Sequence, residues 1–280
     1  MNLIQKIKNT GVKCIEISKL SDSILKYVGS YFNVYESKYV DSYVSVKIFT
    51  STSKKLTKIF LREIYMLRNY VSENCLQFYG YILDTSQSFP IYGIVAESNF
   101  VSLREYIKNN KNMSYVNRSK MMLGAARGLS VLHTSYTKPF LHKNLGNAFY
   151  VTRDDVVKIC YYLPDDVFSE RTNFAAYFAY ELLRDIFSDY NTKTEIYSFG
   201  IVMWEILTGT IPFRGMSYKE IYYMLIHENR GEYIPLDAPT ELQCIIIACR
   251  GMDPDNRPTI SGIVNVLEGF CSCHSFRHDR

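Results

Sequence analysis

Between Ile196 and Leu207 nearly every residue is apolar, so no face of a helix there could meet water. A helix that is hydrophobic on all sides belongs inside a protein, and this one is shorter than the roughly 20 residues a bilayer requires. Gly209 supplies its stop and Pro212 forbids its continuation. Upstream the period changes. Val44, Val46 and Ile48 alternate with Ser45 and Lys47, the two-residue repeat of a strand. Residues 24–35 are also rich in β-formers, and further strands are predicted over 76–83 and 91–96. Between these runs Leu56, Ile59, Phe60, Ile64 and Leu67 recur at helical spacing, with Glu63 on the same stripe. A carboxylate on a buried stripe needs a cation, because an unpaired buried charge is costly; Lys47 is the candidate. Beyond Ala96 the pattern turns helical. Helices are predicted from Leu103, around Met121 to Leu132, and near 219–227, 240–249 and 259–270, with strand pieces at 150–151 and 157–160. A sheet-rich part with one helix, followed by a mostly helical part, makes the fold class α+β.

At 280 residues the chain is long enough for one large domain or two small ones packed together. Its 47% hydrophobic and 21% charged residues exclude a disordered chain. The net charge of +4 is spread along the sequence without a dense basic tract, so neither nucleic acid nor a membrane surface is expected as a partner. Seven irregularly spaced cysteines fit reduced thiols in cytosol better than a disulfide framework. Lysines interrupt the apolar run at the N-terminus, which therefore does not read as a signal peptide. Cys271, Cys273, His274 and His278 lack zinc-finger spacing; a frayed, thiol-rich tail is the expectation for residues 271–280, and no metal site is expected.

The run from Thr194 to Gly209 resembles the central helix of the protein-kinase C-terminal lobe. Other segments can be held against kinase motifs in turn. Val44-Ser45-Val46-Lys47 matches the strand that carries the nucleotide lysine, and Glu63 matches its helical partner. Where a glycine-rich loop would cradle phosphates, Gly29 is followed by Ser30-Tyr31-Phe32-Asn33, with large residues in place of two glycines; Tyr31 or Phe32 would fill phosphate space. Leu141-His142-Lys143-Asn144-Leu145 stands at the catalytic loop, with Asn144 in place of the aspartate. An amide cannot accept a proton from a substrate hydroxyl as a carboxylate can. Ala148 occupies the slot of the metal-binding asparagine, and Asn147 fits it only if the loop shifts. Tyr161-Tyr162-Leu163 stands where an aspartate would hold Mg²⁺, which prefers carboxylate and phosphate oxygens. Glu181 and Arg257 match the residues that form a structural ion pair. The resemblance therefore implies a bilobal protein-kinase-like fold with an N-terminal antiparallel sheet plus one helix and a mostly helical C-terminal lobe. A lead-in would span 1–24, the first lobe 25–97 and the second 98–270. Catalytic residues and a cofactor are not expected; ATP binding at Lys47 and Glu63 without metal is compatible with this remnant pocket and would not support catalysis.

Several runs narrow the resemblance. Leu123 to Leu129, His142-Lys143-Asn144, Thr194 to Phe213 and Ala248 to Pro254 are similar to the mixed lineage kinase domain-like pseudokinases. That family's cellular members carry a four-helix bundle for which residues 1–24 leave no room, which resembles the truncated poxvirus homologues. The resemblance implies a cytoplasmic, monomeric viral decoy that sequesters host receptor-interacting protein kinase 3 and so inhibits necroptosis. Phe187 aligns with the family's partner-binding aromatic; internal packing beside Ile186 is the alternative. The short activation segment offers Ser169 and Thr172 but no pair of adjacent phosphoacceptors. A nucleotide-regulated scaffold and a divergent active kinase are the alternative functions.

Overall fold

The computed structural model describes residues 11–29, 31–51, 53–86, 90–98, 100–160, 175–185 and 187–275. Among them the chain divides into two units, one running up to Phe100 and the other from Val101 onward.

The first unit is an antiparallel sheet with one helix. Its strands are β1 (Leu20–Val28), β2 (Phe32–Tyr39), β3 (Ser42–Phe49), β4 (Phe78–Asp84) and β5 (Ile91–Glu97), in the order β1-β2-β3-β5-β4. The β-rich stretch predicted over 24–35 is thus a hairpin rather than one strand: the Gly29 N–H donates to the Phe32 carbonyl at 3.0 Å and closes a tight turn. β1 lies at the sheet edge with most of its residues exposed, including Ile24 and Val28. Nor is the segment before residue 25 a separate lead-in. Ile15 is buried with Val44, Val46, Ile82 and Val95 in the core of this unit. Its N–H donates to the Tyr81 carbonyl at 2.7 Å, and the Tyr81 N–H returns a bond to Lys13 at 3.0 Å. Gly80 permits this approach, because a Cβ there would run into the Lys13 carbonyl.

The helix α1 (Lys54–Asn69) is capped by Ser53, whose side chain accepts the Leu56 N–H. Its buried face is Leu56, Phe60, Ile64, Met66 and Leu67, the stripe the periodicity predicts. Phe60 stacks on Tyr92 with ring centroids 5.2 Å apart and meets Phe49 edge-on at 5.4 Å, which binds the helix to the sheet.

The second unit is mostly helical, with one small sheet of three short strands, β6 (Phe100–Ser102), β7 (Phe149–Thr152) and β8 (Val157–Ile159). Its helices are α2 (Leu103–Asn109), α3 (Tyr115–Thr134), α4 (Tyr180–Arg184), α5 (Thr192–Thr208), α6 (Tyr218–Tyr222), α7 (Thr240–Cys249) and α8 (Ile260–Ser275). The predicted helix over 219–227 changes character midway: α6 ends at Tyr222 and a π-turn runs Tyr223–His227. In α5 every residue from Thr194 to Leu207 is buried. Asn191 caps its start by accepting from the Lys193 and Thr194 N–H groups, and Gly209 ends it in the left-handed conformation at φ 72°. Helix α7 packs against it so closely that a Cβ at Gly200 would stand 2.8 Å from the Cys249 Cβ. The expected frayed tail is instead the last turn of α8 as far as Ser275. Cys271 is buried against α3, 3.4 Å from the Ser119 hydroxyl, and the His274 ring stacks on Phe270.

Candidate functional site

Two constellations carry the residues that the sequence singles out, one in each unit. In the first, β3 delivers Lys47 and α1 delivers Glu63. The Lys47 ammonium donates to Glu63 Oε1 at 2.7 Å and Oε2 at 3.0 Å. Its side chain has no exposed surface, and that of Glu63 is 14% exposed. Antiparallel register sets Val34 opposite Lys47 and Phe32 opposite Phe49. Phe32 is therefore the diagonal neighbour of Lys47 on the same face of the sheet. The Phe32 ring centroid lies 3.9 Å from Lys47 Nζ and that of Phe49 lies 5.1 Å away. Gly29 belongs to the hairpin turn, where its N–H is committed to the Phe32 carbonyl. The glycine-rich cradle that would offer such groups to phosphate is replaced by a closed turn with a phenylalanine behind it.

In the second unit the loop after α3 carries His142, Lys143 and Asn144, and its organising group is Glu195 in the first turn of α5. The Glu195 side chain is fully buried. Its Oε1 accepts the Lys143 backbone N–H at 2.7 Å and the Tyr190 hydroxyl at 3.0 Å; its Oε2 lies 2.8 Å from His133 Nε2. Burial alone would raise the Glu195 carboxyl, but the contacts with His133 and the Lys143 N–H override it and hold the pKa below its ordinary value. Lys143 adopts φ 68°, a left-handed conformation unfavourable to a non-glycine residue, and the bond to Glu195 holds it there. His142 Nε2–H donates to the Cys160 carbonyl at 2.8 Å, while Nδ1 accepts the Asn144 N–H at 3.3 Å. Those bonds select the neutral imidazole, and burial accordingly pushes the His142 pKa down. Asn144 is buried at the point where a catalytic aspartate would sit, and a carboxamide there has no base chemistry. Ala148 is buried, whereas Asn147 is exposed in the 3₁₀ turn Leu145–Asn147. Tyr161, Tyr162 and Leu163 lie outside the described residues, as do Ser169, Thr172 and His278.

Two buried networks brace this unit. Arg257 meets Glu181 through a pair of 2.7 Å bonds and also donates to the Gly251 and Lys193 carbonyls at 2.8 and 2.9 Å. Burial would raise the Glu181 carboxyl; Arg257 keeps it below its ordinary value. Elsewhere Arg104 Nε donates to Glu205 Oε1 at 2.6 Å, and the Tyr177 hydroxyl donates to Oε2 at 2.6 Å. Burial, reinforced by the Glu205 charge, raises the Tyr177 pKa well above the usual phenol value. No kinase-like motif in the sequence assigns a role to Glu195, Glu205 or Arg104. The available signal was physical: two carboxylates on a helix with no wet side demand internal partners.

Phe187 lies in the turn between α4 and α5 and is 87% exposed. Its N–H donates to the Asp185 carboxylate at 2.9 Å and the Ser188 N–H to the Asp185 carbonyl at 3.0 Å, so the backbone presenting the ring is braced. The ring does not pack internally. Among the described residues no three His, Cys, Asp or Glu side chains are placed to hold a metal ion, and no helix is long and apolar enough to cross a membrane.

Residues 27–267 match the family described as protein tyrosine and serine/threonine kinase. The human mixed lineage kinase domain-like protein is 33% identical over 286 aligned positions, covering 95% of this chain and 60% of the human protein. The mouse protein of the same name is also 33% identical, covering 82% of this chain and 52% of its own length. A serine/threonine/tyrosine-protein kinase of Arabidopsis thaliana is 26% identical over 88% of the chain and 65% of its own length. The chain thus spans about 60% of the human relative it matches.

Proposed function

The chain belongs to the protein tyrosine and serine/threonine kinase family, and from that premise we propose that it is a catalytically inert member that acts by docking on another protein kinase. The partner is receptor-interacting protein kinase 3 of a host cell, and docking withholds that kinase from its own targets, so that necroptosis is inhibited. Inertness is supported by the chemistry of the two constellations. Asn144 offers no base, and the Gly29 turn spends its N–H on the Phe32 carbonyl.

The observation that carries the docking reading is Phe187. A large aromatic left 87% exposed on a braced turn costs solvation in the free protein and is the kind of side chain that anchors an interface. The similarity to the mixed lineage kinase domain-like proteins supports this choice of partner. Phosphate transfer plays no part in this action; a kinase-like domain that engages an upstream kinase without relaying its signal acts by occupancy.

Co-precipitation of the purified protein with the host kinase tests the reading. Phe187→Ala should weaken the complex by about tenfold or more, since truncating an interface anchor costs about 2 kcal/mol or more. Because the ring packs against nothing internal, the melting temperature should not change. Wild-type affinity in the Phe187→Ala protein would remove Phe187 from the interface, and absence of binding by the wild type would remove the partner.

A further inference from the structure

The surroundings of Lys47 go beyond a missing phosphate cradle. An ammonium has three N–H donors. Two of the Lys47 hydrogen bonds run to the Glu63 oxygens at 2.7 and 3.0 Å. Over the same ammonium stands the face of Phe32, 3.9 Å from Nζ, with the Phe49 ring flanking it at 5.1 Å. The negative face of an aromatic ring attracts a cation within about 6 Å of its centroid, most strongly when the pair is desolvated. Desolvation here is complete on the lysine side, whose side chain has no exposed surface. Phe32 is itself 4% exposed.

The position of the ring follows from the hairpin. The bond from the Gly29 N–H to the Phe32 carbonyl makes Phe32 the first residue of β2, and the Thr50 N–H donates to the Tyr31 carbonyl at 2.9 Å, pinning the turn to the end of β3. Register then sets Phe32 across from Phe49, their ring centroids 6.4 Å apart, with Lys47 diagonal on the same face. Phe49 in turn meets Phe60 of α1. The ring over the lysine is therefore one end of a packed aromatic row, and moving it would expose buried apolar surface as well as uncover the ammonium.

We propose that Phe32 is a built-in occupant of the space above the Lys47 ammonium: it takes the place that a phosphate-bearing ligand would need, and the Lys47–Glu63 pair holds without any nucleotide. Phe32 then decides ligand exclusion in this unit, while Lys47 and Glu63 remain as structure. This stands apart from docking on a partner kinase, which is read by co-precipitation; ATP binding by the wild type would sink the Phe32 proposal and leave docking untouched.

The test begins with the unmodified protein, so it does not depend on a variant's folding. Under brief acylation with an amine-reactive ester, followed by peptide mass spectrometry, Lys47 should label among the slowest lysines, and saturating ATP or inorganic tripolyphosphate should change nothing. In Phe32→Ala the Lys47 rate should rise at least tenfold. ATP and tripolyphosphate should then slow labelling and raise the melting temperature, and Lys47→Met in the same background should abolish that thermal shift. Phe32→Leu keeps most of the apolar bulk without the aromatic face, and serves if Phe32→Ala does not fold; its Lys47 should also label faster than in the wild type. Fast labelling of Lys47 in the wild type that ATP suppresses would overturn the proposal. So would a Lys47 that labels equally slowly in a folded Phe32 variant.

Discussion

The Arg257 guanidinium has no exposed surface, and nearly all its donors are spoken for: the Glu181 carboxylate takes two, and carbonyls of Gly251 and Lys193 take others. The Tyr197 ring lies 5.2 Å from its central carbon. A buried pair so thoroughly bonded adds little over an apolar pair of the same volume, but breaking it leaves a stranded charge at about 3–5 kcal/mol. Arg257→Glu replaces attraction with repulsion and orphans the carbonyls as well. That variant should give no soluble folded protein, and a stable, monodisperse Arg257→Glu preparation would contradict the account. Glu181 and Arg257 were legible because each sits in a recognisable run of neighbours, and Glu63 because helical spacing placed a carboxylate on a greasy stripe. Phe32 was legible only as a bulky residue in the wrong place. Its contact with Lys47 depends on where the chain turns between β1 and β2, and a tight turn that begins at Gly29 cannot be distinguished by composition from a longer loop.

At the scale of elements, α5 was plain in the sequence and its chemistry was not. An unbroken apolar run announces burial, and Gly209 announces the end. The same run hides Glu195, because two of its partners, the Lys143 N–H and His133, come from a loop and a helix far away in sequence, and the third, Tyr190, lies five residues upstream, outside the helix. Long-range hydrogen bonds leave no periodic trace, so the brace of the catalytic-loop remnant was visible only as an unexplained acid. Its removal has a calculable consequence. Glu195→Ala would leave the Lys143 N–H and the Tyr190 hydroxyl without their acceptor in a dry site, which costs about 1–3 kcal/mol for each buried group left unsatisfied. It would also release the left-handed conformation of Lys143. With about 3 kcal/mol lost overall, the melting temperature should fall by roughly 6–12 °C. Differential scanning fluorimetry reads this directly; a melting temperature equal to that of the wild type would show that the loop is held some other way. The departures from the sequence pattern at Ile15 and Cys271 have a similar origin. Ile15 joins the first core through backbone pairing with Tyr81, and α8 runs past Phe270 because Cys271 finds a dry site against α3.

At the scale of the whole molecule, the groups that brace the fold are ionisable, so its stability must depend on pH in a direction that can be worked out. His142 is neutral in the folded state, since Nδ1 accepts the Asn144 N–H and burial depresses the pKa. Unfolded, the imidazole titrates near its ordinary pKa of about 6.5. As pH falls below that value the unfolded chain takes up a proton that the folded one refuses. Stability therefore declines on acidification from about pH 6.5 downward, until the folded-state pKa is reached. The charge facing His142 is Glu195, which draws the pKa back upward without cancelling the effect of burial. Glu181 and Glu195 are depressed below the ordinary carboxylate range, so their contribution is complete above that range and is lost as pH falls through their folded values. Two regimes should appear in melting temperature against pH: a gentle loss below about pH 6.5 and a steeper one below about pH 4.5. His142→Gln cannot take up the proton, so the variant should lose the first regime and keep the second, whatever its absolute stability. An identical slope in wild type and His142→Gln between about pH 7 and pH 5 would place the titrating group elsewhere.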